Sequence, residues 1–126
     1  MRLLVSGGRT YDDVETLEKV LERIDFAHCI DVLIEGGQKR WDKEQKRFIG
    51  LDHLAGSWAR RRGVPNWSIP ADWDRYGKAA GYRRNHQMLH ECSPDVLLPF
   101  PGGPGTADMT TQCWGVIPIW NWRDFI

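Results

Sequence analysis

The stretch DVLLPFPGGPGT, residues 95–106, decides the fold. Residues 95–99, apolar after Asp95, form a run too short for a helix and suited to a buried strand. The run stops at a bend of Pro101, Gly102, Gly103, Pro104 and Gly105. A helix is expected next, from Thr106 to about Trp114. The same grammar opens the chain, where RLLVS (residues 2–6) runs into Gly7-Gly8. It recurs where DVLIE (residues 31–35) runs into Gly36-Gly37. Strand, glycine bend, helix is the unit from which parallel sheets are wound.

The stretches between these units fill in the rest. Asp12 or Asp13 is placed to cap a helix running to about Asp25, with Val14, Leu17, Val20, Leu21 and Ile24 on one face. Residues 51–62 read as a second helix closed by Gly63. Val64 to Ile69 is a weaker third strand between prolines, and residues 71–81 read as a polar, aromatic loop. A helix over about Ala79 to Glu91 precedes the strand at 95–99, and Val116 to Trp120 is the last strand. Residues 38–49 are highly charged without a clean period, and read as a protruding loop or small hairpin inserted into one domain spanning 1–126.

The expected fold is Rossmann-like, with three α/β/α layers and a mostly parallel sheet of about five strands in the order 3-2-1-4-5. In that order strands 1 and 4 are neighbours and the chain reverses direction between them. Ligands of open α/β sheets sit at such a switch point, beyond the C-terminal ends of the strands.

Composition narrows the function. Lys plus Arg and Asp plus Glu each number 17, so the formal net charge is zero and no global pull toward nucleic acid or anionic membrane is expected. No apolar run approaches a bilayer span. The three cysteines, Cys29, Cys92 and Cys113, form no CxxC pair, which argues against a disulfide framework or zinc knuckle and fits a reducing cytoplasm. His86 and His90 share a helical face without a third ligand, so no metal site is expected, and nothing calls for a cofactor. Trp114, Trp120 and Trp122 cluster near the C-terminus and suggest a homodimer surface.

Two glycine bends, Gly7-Gly8-Arg9 and Pro101-Gly102-Gly103-Pro104-Gly105-Thr106, are the ones the topology sets beside the switch point. Glycine lets backbone N–H groups approach an anion, and the helix start at Thr106 aims its positive end there. A phosphate-bearing ligand is therefore expected. Arg9 is placed to reach the phosphate and Lys78 to add charge; Asp52 reads either as a residue that simply opens a helix or as an acceptor for a ribose hydroxyl, and Trp73 or Tyr11 would stack on a base. Asp72, Trp73, Arg75 and Lys78 follow the third strand on the ligand side of the sheet.

A family resemblance rests on these residues. PGGPGT after DVLLPF is similar to the PGGxGTxxE signature of the LOG-type phosphoribohydrolases of the SLOG superfamily, which also holds the Smf/DprA proteins. A closer resemblance is to its small YspA/YpsA-related branch. It is carried by Gly7-Gly8-Arg9-Thr10-Tyr11-Asp12-Asp13, by Gly50-Leu51-Asp52-His53-Leu54-Ala55 with Trp58-Ala59, and by Pro70-Ala71-Asp72-Trp73. Gly77-Lys78-Ala79-Ala80-Gly81, Arg84-Asn85 and Gly105-Thr106-Ala107-Asp108-Met109 complete it.

The resemblance implies a Rossmann-like domain that binds a nucleotide or nucleotide-derived ligand as a sensing module. The implied binding set is Gly7, Gly8, Arg9, Asp52, Asp72, Trp73, Lys78, Arg84, Asn85, Pro101, Gly102, Gly103, Gly105 and Thr106. Two alternatives stay open. One is an N-glycosidase acting on nucleoside monophosphates, with Arg84 and Asp108 as candidate catalytic residues. The other is single-stranded DNA binding like Smf/DprA, which the zero net charge weakens. The phosphoribohydrolase glutamate is Met109 here, and a thioether cannot do a carboxylate's work.

Overall fold

The computed structural model describes residues 1–126. The elements are β1 (Arg2–Ser6), α1 (Val14–His28), β2 (Val32–Glu35), β3 (Arg40–Asp42), β4 (Arg47–Ile49) and α2 (Leu51–Arg62). They continue with β5 (Asn66–Ser68), α3 (Trp73–Tyr76), a 3-10 turn at Gly77–Ala79, α4 (Ala80–Glu91), β6 (Val96–Pro99), α5 (Pro104–Cys113) and a 3-10 turn at Trp122–Phe125.

β5, β2, β1 and β6 pair in that order, all parallel. Alternation along the strands divides the core in two. Leu3, Val5, Leu33, Val96 and Leu98 face α1 and α2 and join Leu17, Leu21, Ile24 and Trp58. Leu4, Ile34 and Leu97 face α4 and α5 and join Met88, Leu89 and Met109. A parallel sheet covered on both faces needs strands that are apolar throughout, and β1 supplies Leu3, Leu4 and Val5 with no exposure. The result is a three-layer, Rossmann-like α/β fold.

The boundaries follow local chemistry. Asp13 caps α1 by accepting from the Thr16 amide at 3.2 Å. Gly63 ends α2 in the left-handed conformation, donating back to Ala59 and Arg60. The charged insertion is an antiparallel hairpin of β3 and β4, with Trp41 edge-on to Phe48 across it. It is tied to the start of α1 by Gln45 Nε2 donating to Asp12 at 2.9 Å.

Two expectations need correction. The fifth strand is reduced to a single parallel bridge between Leu97 and Ile119. Pro118 has no N–H to extend the ladder; its carbonyl accepts from Leu97, and Trp120 donates back to Leu97. Residues 73–79 are helical rather than loop, because Asp72 caps them by accepting from the Arg75 amide at 3.1 Å. The C-terminal tryptophans part company. Trp114 is 78% exposed, whereas Trp120 packs on His28 and Trp122 stacks on Phe100. No helix is long and apolar enough to cross a membrane.

Candidate functional site

A cleft of about 710 Å³ opens at the C-terminal ends of β1, β2 and β6. Two loops form one wall. The Gly8 amide donates to Pro101 O at 2.9 Å, Phe100 N donates to Ser6 O at 2.7 Å, and Ser6 Oγ bonds Thr106 Oγ1 at 3.2 Å. The loops approach so closely that a Cβ on Gly102 would sit 2.8 Å from the Gly8 nitrogen and 3.0 Å from the Gly7 carbonyl carbon. Glycine at 102 is therefore a requirement of contact.

α5 starts two residues earlier than the sequence suggests, with Pro104 in its first turn and no side-chain cap. The amides of Gly102, Gly103, Gly105 and Thr106 donate to no acceptor in the chain. Orphan amides at a helix start are anion ligands by geometry and dipole alike.

Arg84, on α4, forms the floor. Only 7% of it is exposed. Its Nη1 donates to Gly36 O and its Nε to Asn85 Oδ1 at 3.0 Å, while Nη2 has no partner in the chain. Burial lowers its pKa from the usual arginine range, opposed by the charges of Asp52 and Glu35. Asn85 spends its own amide on Gly105 O at 3.1 Å and Asp108 at 3.0 Å. It thus fixes Arg84 with its oxygen and the first turn of α5 with its nitrogen.

Asp52, in the first turn of α2, accepts from the Gln38 amide at 3.2 Å and is 6% exposed. Burial and the neighbouring Glu35 push its pKa up to about 6, against the pull of the Gln38 amide, Arg84 and the Gly36 amide. Glu35 lies beneath, 3% exposed, and accepts from Gly37 N, Ser68 Oγ and Asn66 Nδ2. Sequence reading missed Glu35. A charged residue ending an apolar strand was its only signal.

Most of the expected residues meet here. Gly7, Gly8, Arg9, Asp52, Trp73, Lys78, Arg84, Asn85, Pro101, Gly102, Gly103, Gly105 and Thr106 all line the cleft. Arg9 lies 5.8 Å from the Trp73 ring centre, so one cation and one aromatic face share the rim. Tyr11 also lines the cleft; burial and then Asp13 and Asp12 raise its hydroxyl pKa to about 12.

Three expected residues stand apart. Arg75 does not line the cleft and lies over the Tyr76 ring, 5.1 Å from its centre. Asp72 is occupied as the α3 cap and lines a neighbouring depression. Asp108 does not line the cleft; it accepts from Asn85 and from Gln112 at 2.7 Å. Met109 is fully buried among Leu4, Ile34 and Met88. The structure adds Gly36, Gln38, Arg40 and Tyr82 to the lining. The glycine pair after β2 was visible, and β2 neighbours β1, so Gly36 was within reach of strand order.

Fold and cleft together define a small Rossmann-like domain with an anion-compatible site at its topological switch point. The chain belongs to the YspA, cpYpsA-related SLOG family, which matches residues 1–76. It is also similar to the Gene 61 protein of Mycobacterium phage D29, 27% identical over 134 residues that cover 98% of this chain and 97% of that protein.

Proposed function

We propose that this chain is a binding or sensing module for a nucleotide or nucleotide-derived phosphate ligand held in the cleft. The phosphate sits on the amides of Gly102, Gly103, Gly105 and Thr106, Arg84 meets it from below, and Trp73 offers a face to the base. The observation that carries this reading is the pairing of unused amides with a buried guanidinium whose Nη2 is free, on one cleft. Charge agrees. Arg9, Arg40, Lys78 and Arg84 line the cleft against the single carboxylate of Asp52, although the chain as a whole is neutral. Charge-assisted bonds to phosphate are the strong ones.

N-glycoside hydrolysis has less support. It needs a carboxylate at the glycosidic bond; Asp108 is bonded to Asn85 and Gln112, Met109 lies in the core, and Asp52 is the one carboxylate on the cleft. The test is a thermal-shift panel of nucleoside mono-, di- and cyclic phosphates and ADP-ribose. A binding ligand at a hundred times its Kd stabilises by about 2.7 kcal/mol. The reading fails if no nucleotide moves the melting temperature. Chromatography of the same mixtures should show no free base; base release would transfer the reading to hydrolysis.

A further inference from the structure

We infer that Asp52 reads the ribose hydroxyls of the bound nucleotide, so that the cleft selects ribonucleotides over 2′-deoxyribonucleotides. This rests on the nucleotide-binding reading above and adds the sugar to it.

The placement comes from the sheet. The amide cradle lies where β1 meets β6, and Asp52 lies over the end of β2, the next strand along. Adjacent strands stand about 4.8 Å apart, the scale of the step from a 5′-phosphate to the sugar that carries it. Asp52 and Arg84 converge on one point: a Cβ on Gly36 would lie 3.1 Å from Asp52 Oδ2 and 2.8 Å from Arg84 Cζ. Yet the two form no ion pair, since the chain's salt bridges involve other residues. Both residues line the cleft; the Gln38 amide donates to Asp52 Oδ2 and the Gly36 amide also bears on the carboxylate, while Asp52 Oδ1 and Arg84 Nη2 have no bond of full hydrogen-bond geometry within the chain.

That leaves, on two largely buried residues, a donor and an acceptor with spare bonding capacity and access to solvent. A phosphate has oxygen acceptors for Arg84 but no proton for Asp52, and its charge repels a carboxylate. A hydroxyl next to the phosphate supplies the missing proton. Asp52 Oδ1 is not sealed from the cleft either, for the only enclosed side-chain polar atom without a partner is Trp58 Nε1. A site built to bond a hydroxyl rejects the analogue that lacks it, because the buried acceptor is then stranded.

The experiment titrates the intact protein calorimetrically at pH 8 with each of the four ribonucleoside 5′-diphosphates and its 2′-deoxy counterpart. Where a pair binds, the ribo form is expected to bind about ten- to a hundredfold more tightly, the range for one hydrogen bond to a charged group. Asp52→Asn and Asp52→Ala should narrow that ratio to about threefold or less, by weakening the ribo form and leaving the deoxy form at least as well bound. The wild-type ratio should also shrink as pH falls through about 6, where the Asp52 carboxyl takes up its proton. Glu35 on β2 and Arg84 on α4 are the charged groups bearing on it, and titration of the phosphate cancels in the ratio.

Equal binding of ribo and deoxy forms by the wild type overturns the assignment, as does a ratio that survives both substitutions. A change in base preference at constant sugar ratio would show Asp52 bonding a base amino group instead. Absence of binding by every nucleotide sinks the binding reading itself, a separate outcome from binding without sugar selection.

Discussion

Replacing Asp52 with asparagine should make the empty protein more stable, and the gain should depend on pH. The carboxyl titrates near 3.8 in the unfolded chain and near about 6 in the fold, raised mainly by burial and then by Glu35. Below 3.8 it is protonated in both states and costs the fold nothing. As pH rises, the unfolded chain ionises first, and the cost grows until the folded carboxyl has ionised as well. Above about pH 6 the full penalty applies. The gap between 3.8 and about 6, at about 1.4 kcal/mol per factor of ten in acidity, comes to about 3 kcal/mol. Asparagine has nearly the shape of the protonated acid, keeps an acceptor for the Gln38 amide and never ionises. With 126 residues the unfolding entropy is about 0.26 kcal/mol/K, so the gain at pH 8 is about 11 °C in Tm. Thermal melts of both proteins from pH 4 to 8, without ligand, are the assay. A variant that melts no higher than wild type at pH 8, or by a margin that does not shrink toward pH 4, refutes the reasoning. Such a penalty retained at a ligand site fits the exchange of stability for function.

Further outcomes follow from the same geometry. Gly102→Ala should cost about 1–3 kcal/mol and weaken nucleotide binding, since its Cβ meets the Gly7-Gly8 backbone, whereas Gly103→Ala meets nothing within 4 Å and should fold normally; urea titration of the pair checks the contrast. Arg84→Met should weaken nucleotide binding by about a hundredfold and move the Asp52 pH step upward, because Arg84 is one of the groups holding that carboxyl down; calorimetry and the pH melts read the two effects. Alkylation of the native protein should label Cys29 alone, with Cys92 and Cys113 reacting only after denaturation; burial raises both thiols, Cys113 to about 11, and early labelling of either would contradict the packing.

How far the site was legible depended on what kind of signal each residue leaves. Gly102 and Thr106 were found because an apolar run ending in glycine is a local pattern and strand order says which bends meet. Arg84 and Asn85 were found through the family resemblance, not from spacing. Asp108 was placed in the site as Met109's neighbour, yet its carboxylate turns to Asn85 and Gln112, a matter of rotation about α5 that no linear pattern reports. Asp72 was legible as a polar residue near the ligand side, but its oxygen is taken by the Arg75 amide. Glu35 went unseen because its partners, Ser68 and Asn66, are more than thirty residues away.

Taken alone, the order of residues determined the wound α/β layout, the two apolar faces and the position of the glycine bends, since each follows from period and turn chemistry within a few residues. Only the folded chain decided that Pro118 would cut the last strand to one bridge. It also decided that Arg84, Asp52 and Glu35 would share one buried neighbourhood under the cleft. The reason is range: hydrophobic alternation and helix caps act between near neighbours, whereas desolvation and the fields of buried charges exist only once distant segments have closed over them.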